Sequence, residues 1–234
     1  MKKMRTIFLQ ICLLLLVAVS TSFATPVIYN NTIPAGTSAF DTLITSVGGT
    51  VNTDTLSGLS SGTSWDRGDY TITATNGISR GIDNSYLVGQ SIVINPASPA
   101  NLSGLTFTFD TPVNAFGLEI GDWATCCYLP SGLYISFDGG SNNLVANAYS
   151  SNDNPGYVAG LGYENFIGAI DDTSTFSTVT FYGDGFGEYL VAGGTIRWAT
   201  VEEGSVSGQI PEPATMFLFG CGLLSLAGLT RKKS

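Results

Sequence analysis

In the middle of the chain, apolar side chains recur at every second position rather than every third or fourth. That is the period of a strand whose two faces meet different surroundings. In Leu105-Thr106-Phe107-Thr108-Phe109 the leucine and both phenylalanines point one way and the threonines the other, so one face is core and one is wet. The same reading predicts strands over 70–75, 91–95, 115–120, 133–137, 144–148, 165–170, 177–182 and 195–200. Asp110-Thr111-Pro112 reads as a turn, with 115–120 either paired to the preceding strand or crossing to a facing sheet. Asp138-Gly139-Gly140 reads as a hairpin turn, because glycine takes positive φ without penalty. No amphipathic helix of about ten residues shows between the strands, and residues 25–99 read only as further strands and polar loops. Short strands between Gly, Asn and Asp turns, with nothing to build a βαβ crossover, predict an all-β fold. The expected architecture is a two-sheet antiparallel sandwich of jelly-roll type.

Two continuous apolar runs at the ends break this alternation. At the front, Lys2, Lys3 and Arg5 precede the run 7–19, and Ser22-Phe23-Ala24 follows it. Charge, apolar stretch and small residues in that order predict a signal helix over 1–24, cut after Ala24 by signal peptidase. At the back, Pro211-Glu212-Pro213 precedes the apolar stretch 214–229, and Arg231, Lys232 and Lys233 close it. Sixteen residues in a helix span about 24 Å, short of a hydrocarbon core of about 30 Å. The expected C-terminal transmembrane helix is therefore a weak anchor. Its basic tip stays cytoplasmic by the positive-inside rule, leaving Pro-Glu-Pro outside. The predicted domains are a signal peptide 1–24, a β-sandwich 25–208 and a tail 209–234.

Charge changes the picture of the middle. The whole chain has a formal charge of −9, but all four of its lysines and two of its five arginines sit at the ends. Residues 25–210 hold seventeen Asp or Glu, three arginines (Arg67, Arg80 and Arg197), no Lys and no His, a formal charge of −14. Such a surface does not neutralise phosphates, so nucleic acid and anionic lipid head groups are excluded as partners. Cys12 and Cys221 lie in the end runs, and only the adjacent Cys126 and Cys127 remain between them. An adjacent pair closes at most a strained vicinal disulfide and offers no metal-site spacing.

The tail resembles the PEP-CTERM sorting signal, with motif, short apolar helix and basic cluster present in order. The resemblance implies that Pro211, Glu212 and Pro213 are the recognition element of an exosortase, an integral membrane cysteine protease, with Arg231, Lys232 and Lys233 as the basic end. It implies a Gram-negative bacterium that makes extracellular polysaccharide. The protein would be tethered to the inner membrane facing the periplasm before processing, and at the cell surface or in the matrix afterwards. The run from Phe107 to Ile120, with Phe166-Ile167-Gly168 and Val179-Thr180-Phe181, also looks like the jelly-roll domain common in PEP-CTERM proteins. That domain is similar to carbohydrate-binding modules, and the match lies mostly in core positions over 104–201.

The chemistry of the middle is bounded by what it lacks. Without His or Lys between the expected processing sites, a Ser-His-Asp triad, a Ser-Lys dyad, a Schiff base and a His-ligated zinc are unavailable. Carboxylate pairs drawn from Glu119, Asp122, Glu164 and Glu188 would serve only a glycosidase. No catalytic residue is assigned and no cofactor is expected, calcium being the one ion the oxygen ligands suit. Its weak candidates are Asp171, Asp172 and Asp184, or Asp138 with Asn142, none in an EF-hand pattern. For sugar stacking the aromatics are Trp65, Trp123, Tyr128, Tyr157, Tyr163 and Tyr189. Trp123 and Tyr128 are the expected carbohydrate contacts, on a loop at one end of the sandwich. The leading expectation is a non-enzymatic surface or matrix protein associated with exopolysaccharide. The alternatives are a carbohydrate-binding module with a defined sugar site, then a carboxylate-dependent glycoside hydrolase.

Overall fold

The alternating run around Phe107 is the middle of a ten-residue strand in a computed structural model that describes residues 25–94, 103–125, 129–159, 162–183 and 189–206. The elements run β1 (Val27–Thr32), α1 (Ile33–Ser46), β2 (Asn52–Thr55), β3 (Ser64–Asp66), β4 (Tyr70–Ala74), β5 (Ile82–Asp83), β6 (Ser91–Ile94) and β7 (Gly104–Val113). They continue as β8 (Ala115–Gly121), β9 (Ser131–Phe137), β10 (Asn143–Ala148), β11 (Tyr157–Val158), β12 (Gly162–Tyr163), β13 (Asn165–Ile170), β14 (Phe176–Gly183) and β15 (Leu190–Ala199). One sheet has seven strands, in the order β1-β13-β8-β15-β6-β5 with β2 also on β15. The other has six, in the order β10-β9-β14-β7-β4-β3, and β11 pairs with β12 as a separate hairpin. All the pairings are antiparallel. Residues Thr25–Ser207 form one compact unit. The signal segment with Ala24, and the tail with Pro211, Glu212, Pro213, Arg231, Lys232 and Lys233, lie outside the described residues. Among the described residues no helix is long and apolar enough to cross a membrane.

The two sheets bury their inward residues against each other. Phe107 of β7 meets Phe116 of β8 with ring centroids 4.7 Å apart, and Tyr70 meets Trp198 at 5.2 Å, so aromatic pairs from the facing sheets interdigitate. The Asp138-Gly139 turn joins β9 to β10 as expected. Both residues take positive φ (45° and 69°), and the Gly140 N–H donates to the Phe137 carbonyl at 2.8 Å.

Asp110-Thr111-Pro112 is not a turn. It stays within β7 as a bulge, since Thr108 pairs with Thr178 while Val113 already pairs with Phe176. Bulged residues need no ladder hydrogen bond, so the missing N–H of Pro112 costs nothing there. The chain changes sheet one residue later. Asn114 is fully buried at this crossing, and its amide donates to the Val201 carbonyl (2.9 Å) while accepting from the Val201 N–H (2.8 Å).

α1 corrects the expectation of strands and loops alone in 25–99. Its buried positions Gly36, Phe40 and Ile44 recur at i, i+4 and i+8, a stripe one residue wide on a helix otherwise rich in Thr and Ser. The Thr37 and Thr45 hydroxyls turn back onto the Ile33 and Asp41 carbonyls at 2.7 and 2.8 Å, so the polar residues serve the helix that their propensity disfavours. The stripe packs on the outer face of the seven-stranded sheet with Ala115, Phe166, Ile170, Ala199 and Val201. Gly117 lies beneath the Phe166 ring, where a Cβ would collide with its edge carbons.

A charged clasp joins the sheets at one edge. Arg67 donates from Nε and Nη2 to both carboxylate oxygens of Asp54 at 2.8 Å, and the Tyr70 hydroxyl donates to the same carboxylate at 2.8 Å. These partners hold the Asp54 carboxyl below its ordinary value of 3.8, the Arg67 hydrogen bond contributing most. A lowered carboxyl pKa means stability that is present above the unfolded value and lost as pH falls through the folded one. Asp54→Asn is therefore expected to cost about 1–3 kcal/mol at neutral pH. The gap from the parent protein should close below pH 3.8, read as denaturation midpoints across pH. A gap that persists unchanged at the acid end contradicts the clasp.

Candidate functional site

Several acids and tyrosines meet at the end of the seven-stranded sheet where β8 finishes and β13 and β15 begin. Asn165 pairs with Ile120 and Val191 with Gly121, so Asp122, Glu164 and Tyr189 each lie one or two residues beyond neighbouring strand ends. The loop after β5 adds the rest. Asp83 Oδ1 accepts from the N–H groups of Ser85 (2.7 Å) and Tyr86 (3.3 Å), an Asx turn. That turn lays Tyr86 over Gly121, where a Cβ would sit 2.9 Å from the Tyr86 Cβ. Tyr86 and Tyr189 remain 37% and 43% exposed.

Asp122 is held in place by strain and anchoring. Asp122 and Ala124 both take φ of 61°, a left-handed conformation that is costly for alanine. Between them Trp123 is fully buried, its indole N–H donating to Ser131 Oγ at 3.0 Å. The Trp123 carbonyl accepts from the buried Asn154 amide at 2.8 Å, and that amide also reaches the Tyr163 carbonyl at 3.2 Å. Burial raises the Asp122 pKa, the Tyr86 hydrogen bond opposes that rise, and the neighbouring Asp83 and Glu164 charges add to it. The tyrosine pKa values are raised too, by burial first and then by these acids. Two exposed phenol rings beside carboxylates that accept hydrogen bonds are suited to a sugar, which offers apolar ring faces and hydroxyl donors.

The expected contacts fare differently. Trp123 offers no ring to a ligand, because the sandwich needs that indole as core. Tyr128, Cys126, Cys127, Asp184 and Glu188 lie outside the described residues. Asp171 accepts from the Thr173 N–H and hydroxyl in a local turn, and the buried Asp172 accepts from the Val206 N–H, fastening the segment that follows β15. Asp138 likewise accepts from the Thr178 N–H (2.6 Å) and hydroxyl (2.9 Å). Among the described residues no group of three or more His, Cys, Asp or Glu is placed to hold a metal ion. Glu119 is 5% exposed under the outer face and accepts from the Thr195 N–H at 3.2 Å. Burial raises its pKa, while Thr195 and Arg197 oppose that rise. Glu164 Oε2 accepts from the Tyr163 N–H at 3.0 Å. Tyr157 and Tyr163 pair with each other on the β11–β12 hairpin at 5.3 Å, and Trp65 is core. Sequence reasoning missed Tyr86 and Asp83. The Asp-Asn-Ser run at 83–85 is a turn signal, but nothing in it tells that the turn leads back over β8.

No curated protein matches the chain in sequence. Solved structures similar to it include a carbohydrate-binding module of family 29, 11% identical, with a TM-score of 0.34 over 70% of this chain and 95% of that one. A variant of a family 29 module is also 11% identical, with a TM-score of 0.35 over 70% of this chain and 99% of that one. The enzymatically active domain of tailspike protein 4 of bacteriophage CBA120 is 12% identical, with a TM-score of 0.27 over 65% of this chain and 20% of that one. Superpositions this loose carry no argument about ligand or activity. The tail is another matter, for residues 209–232 match the PEP-CTERM protein-sorting motif. The chain therefore carries a PEP-CTERM sorting signal, which implies a secreted surface protein processed at the membrane by an exosortase.

Proposed function

We propose that the chain is a non-enzymatic cell-surface or extracellular-matrix protein, sorted through its tail and associated with exopolysaccharide. The observation that carries the reading is the sorting motif at 209–232 behind a β-sandwich. The signal segment 1–24 would deliver the domain to the periplasm, the stretch 214–229 would hold it at the inner membrane, and cleavage by the exosortase would release it. The test is fractionation with mass analysis in cells with and without the exosortase. With the enzyme, the exported form should begin at Thr25 and lack the apolar tail, and without it the tail should persist in the membrane fraction. An unchanged full-length tail in both strains overturns the reading.

The Tyr86–Tyr189–Asp122 end favours a second, narrower reading, a defined sugar site. Tyr86→Ala and Tyr189→Ala are each expected to weaken binding to extracted exopolysaccharide about tenfold, the loss of one ring contact. Because both rings are exposed, stability should stay within about 0.5 kcal/mol of the parent. Unchanged titrations with both variants remove this end as the site and leave the sorting claim standing.

A further inference from the structure

The three arginines of the sandwich are not used alike. Arg67 is clasped by Asp54, and Arg197 lies with its Nε 3.4 Å from Asp41 Oδ1 and close enough to Glu119 to oppose the rise that burial causes in that carboxyl's pKa. Arg80 is 6% exposed and forms no ion pair with any described carboxylate, in a segment with seventeen acids to choose from. Its backbone is fixed by the bridge to Gly62, with N–H···O distances of 2.7 and 3.1 Å in the two directions. Its Nη2 donates to Asn76 Oδ1 at 2.8 Å, and its Nε–H has no partner.

Two more buried groups, on Asn76 and on Ser103, are also unpartnered. Asn76 uses its carbonyl oxygen for Arg80 and for the Ile78 N–H, which leaves its Nδ2 without an acceptor. Ser103, 1% exposed, has an unbonded Oγ. Thr75 and Gly104 exchange hydrogen bonds just past the β4–β7 ladder, which brings Ser103 alongside Asn76. The guanidinium and the amide nitrogen only donate, and the hydroxyl can donate. None of the three bonds another, so what the cluster lacks is an acceptor. An unpaired buried cation is expensive, and burial alone already depresses the Arg80 pKa. A guanidinium fork flanked by further donors matches a planar oxyanion.

We propose that Arg80, Asn76 and Ser103 form a carboxylate-binding site whose natural ligand is a uronic-acid residue of an acidic polysaccharide. The carboxylate chemistry rests on the cluster alone, while uronate as its source rests on the matrix reading above. The acidic surface does not forbid it, because the field of distant surface charges is screened beyond about 8 Å at physiological salt. A donor that meets an anion directly acts at contact distance.

Three arginines make a simple spectrum. In the exported protein, labelled with nitrogen-15, the Arg80 Nε–H resonance should move with millimolar acetate and with glucuronate oligomers. The Arg67 and Arg197 resonances serve as internal controls. Ser103→Ala, a small buried change that keeps the fold, should weaken both responses about ten- to a hundredfold, the loss of one hydrogen bond to a charged group. Arg80→Met should abolish carboxylate-dependent thermal stabilisation. An Arg80 resonance unmoved by acetate makes ordered water the missing partner and overturns the site, as does an equal shift of all three arginines. Movement with acetate but not with the uronate oligomers upholds the carboxylate site and removes polysaccharide as its source.

Discussion

Replacing Trp123 with alanine is expected to destabilise the domain by about 3–5 kcal/mol, the cost of emptying a large aromatic site in a packed core. Trp123 has no exposed surface, and its removal orphans the Ser131 hydroxyl, itself 1% exposed. It also frees the left-handed residues on either side of it, which only tight surroundings keep in place. The measurement is a guanidinium denaturation with a lower midpoint and an unchanged slope. Trp123→Phe separates the contributions. It keeps most of the packing and loses the indole hydrogen bond, for about 1–3 kcal/mol. A surface platform would behave in the opposite way, so binding lost at full stability in the alanine variant contradicts the buried role.

Phe40→Ala should cost a similar amount, about 3–5 kcal/mol, by a different route. The Phe40 ring is fully buried between Tyr29 at 5.3 Å and Phe166 at 5.4 Å, both edge to face, and is the largest side chain by which α1 grips the sheet. Phe166 in turn covers Gly117, so the ring stack reaches from helix to central strand without a gap. Because β1 and α1 share this second core, the loss should appear as one cooperative transition at lower denaturant. An early, separate loss of helical signal would mean that α1 is an independent appendage.

The strands were legible wherever one face is wet, as around Phe107, because alternation is the trace that half-burial leaves in a sequence. The first half of β15 was not. Leu190, Val191 and Ala192 are buried on both sides, so no period marks them, and the sequence predicts a strand only from Thr195 onward. α1 was hidden because its apolar stripe is one residue wide and its Thr and Ser residues argue against a helix until they are seen bonding their own backbone. Pro112 suggested a turn because a bulge and a turn relieve the same missing N–H. At the candidate site, Asp122, Glu164 and Tyr189 were visible as chemistry but not as neighbours. Tyr86 was visible as neither, since its place over Gly121 depends on how a loop returns across another strand. The Arg80 cluster likewise joins residues from two segments, the loop after β4 and the approach to β7, and no sequence spacing announces it.

The pairing of β1 with β13 sets an order of events. Val27 lies against Ile170 and Thr32 against Asn165, so the first strand made by the ribosome finds its partner only after most of the domain has been synthesised. β2 waits longer still, for Thr195 to Trp198. Until then the greasy side of α1, with Phe40 and Ile44, has no sheet to cover it. Long-range pairing of this kind slows folding and prolongs the exposure of sticky segments. Vectorial emergence therefore leaves β1 and α1 waiting on the second half of the domain, and a chain cut short before β13 would strand them without a mate.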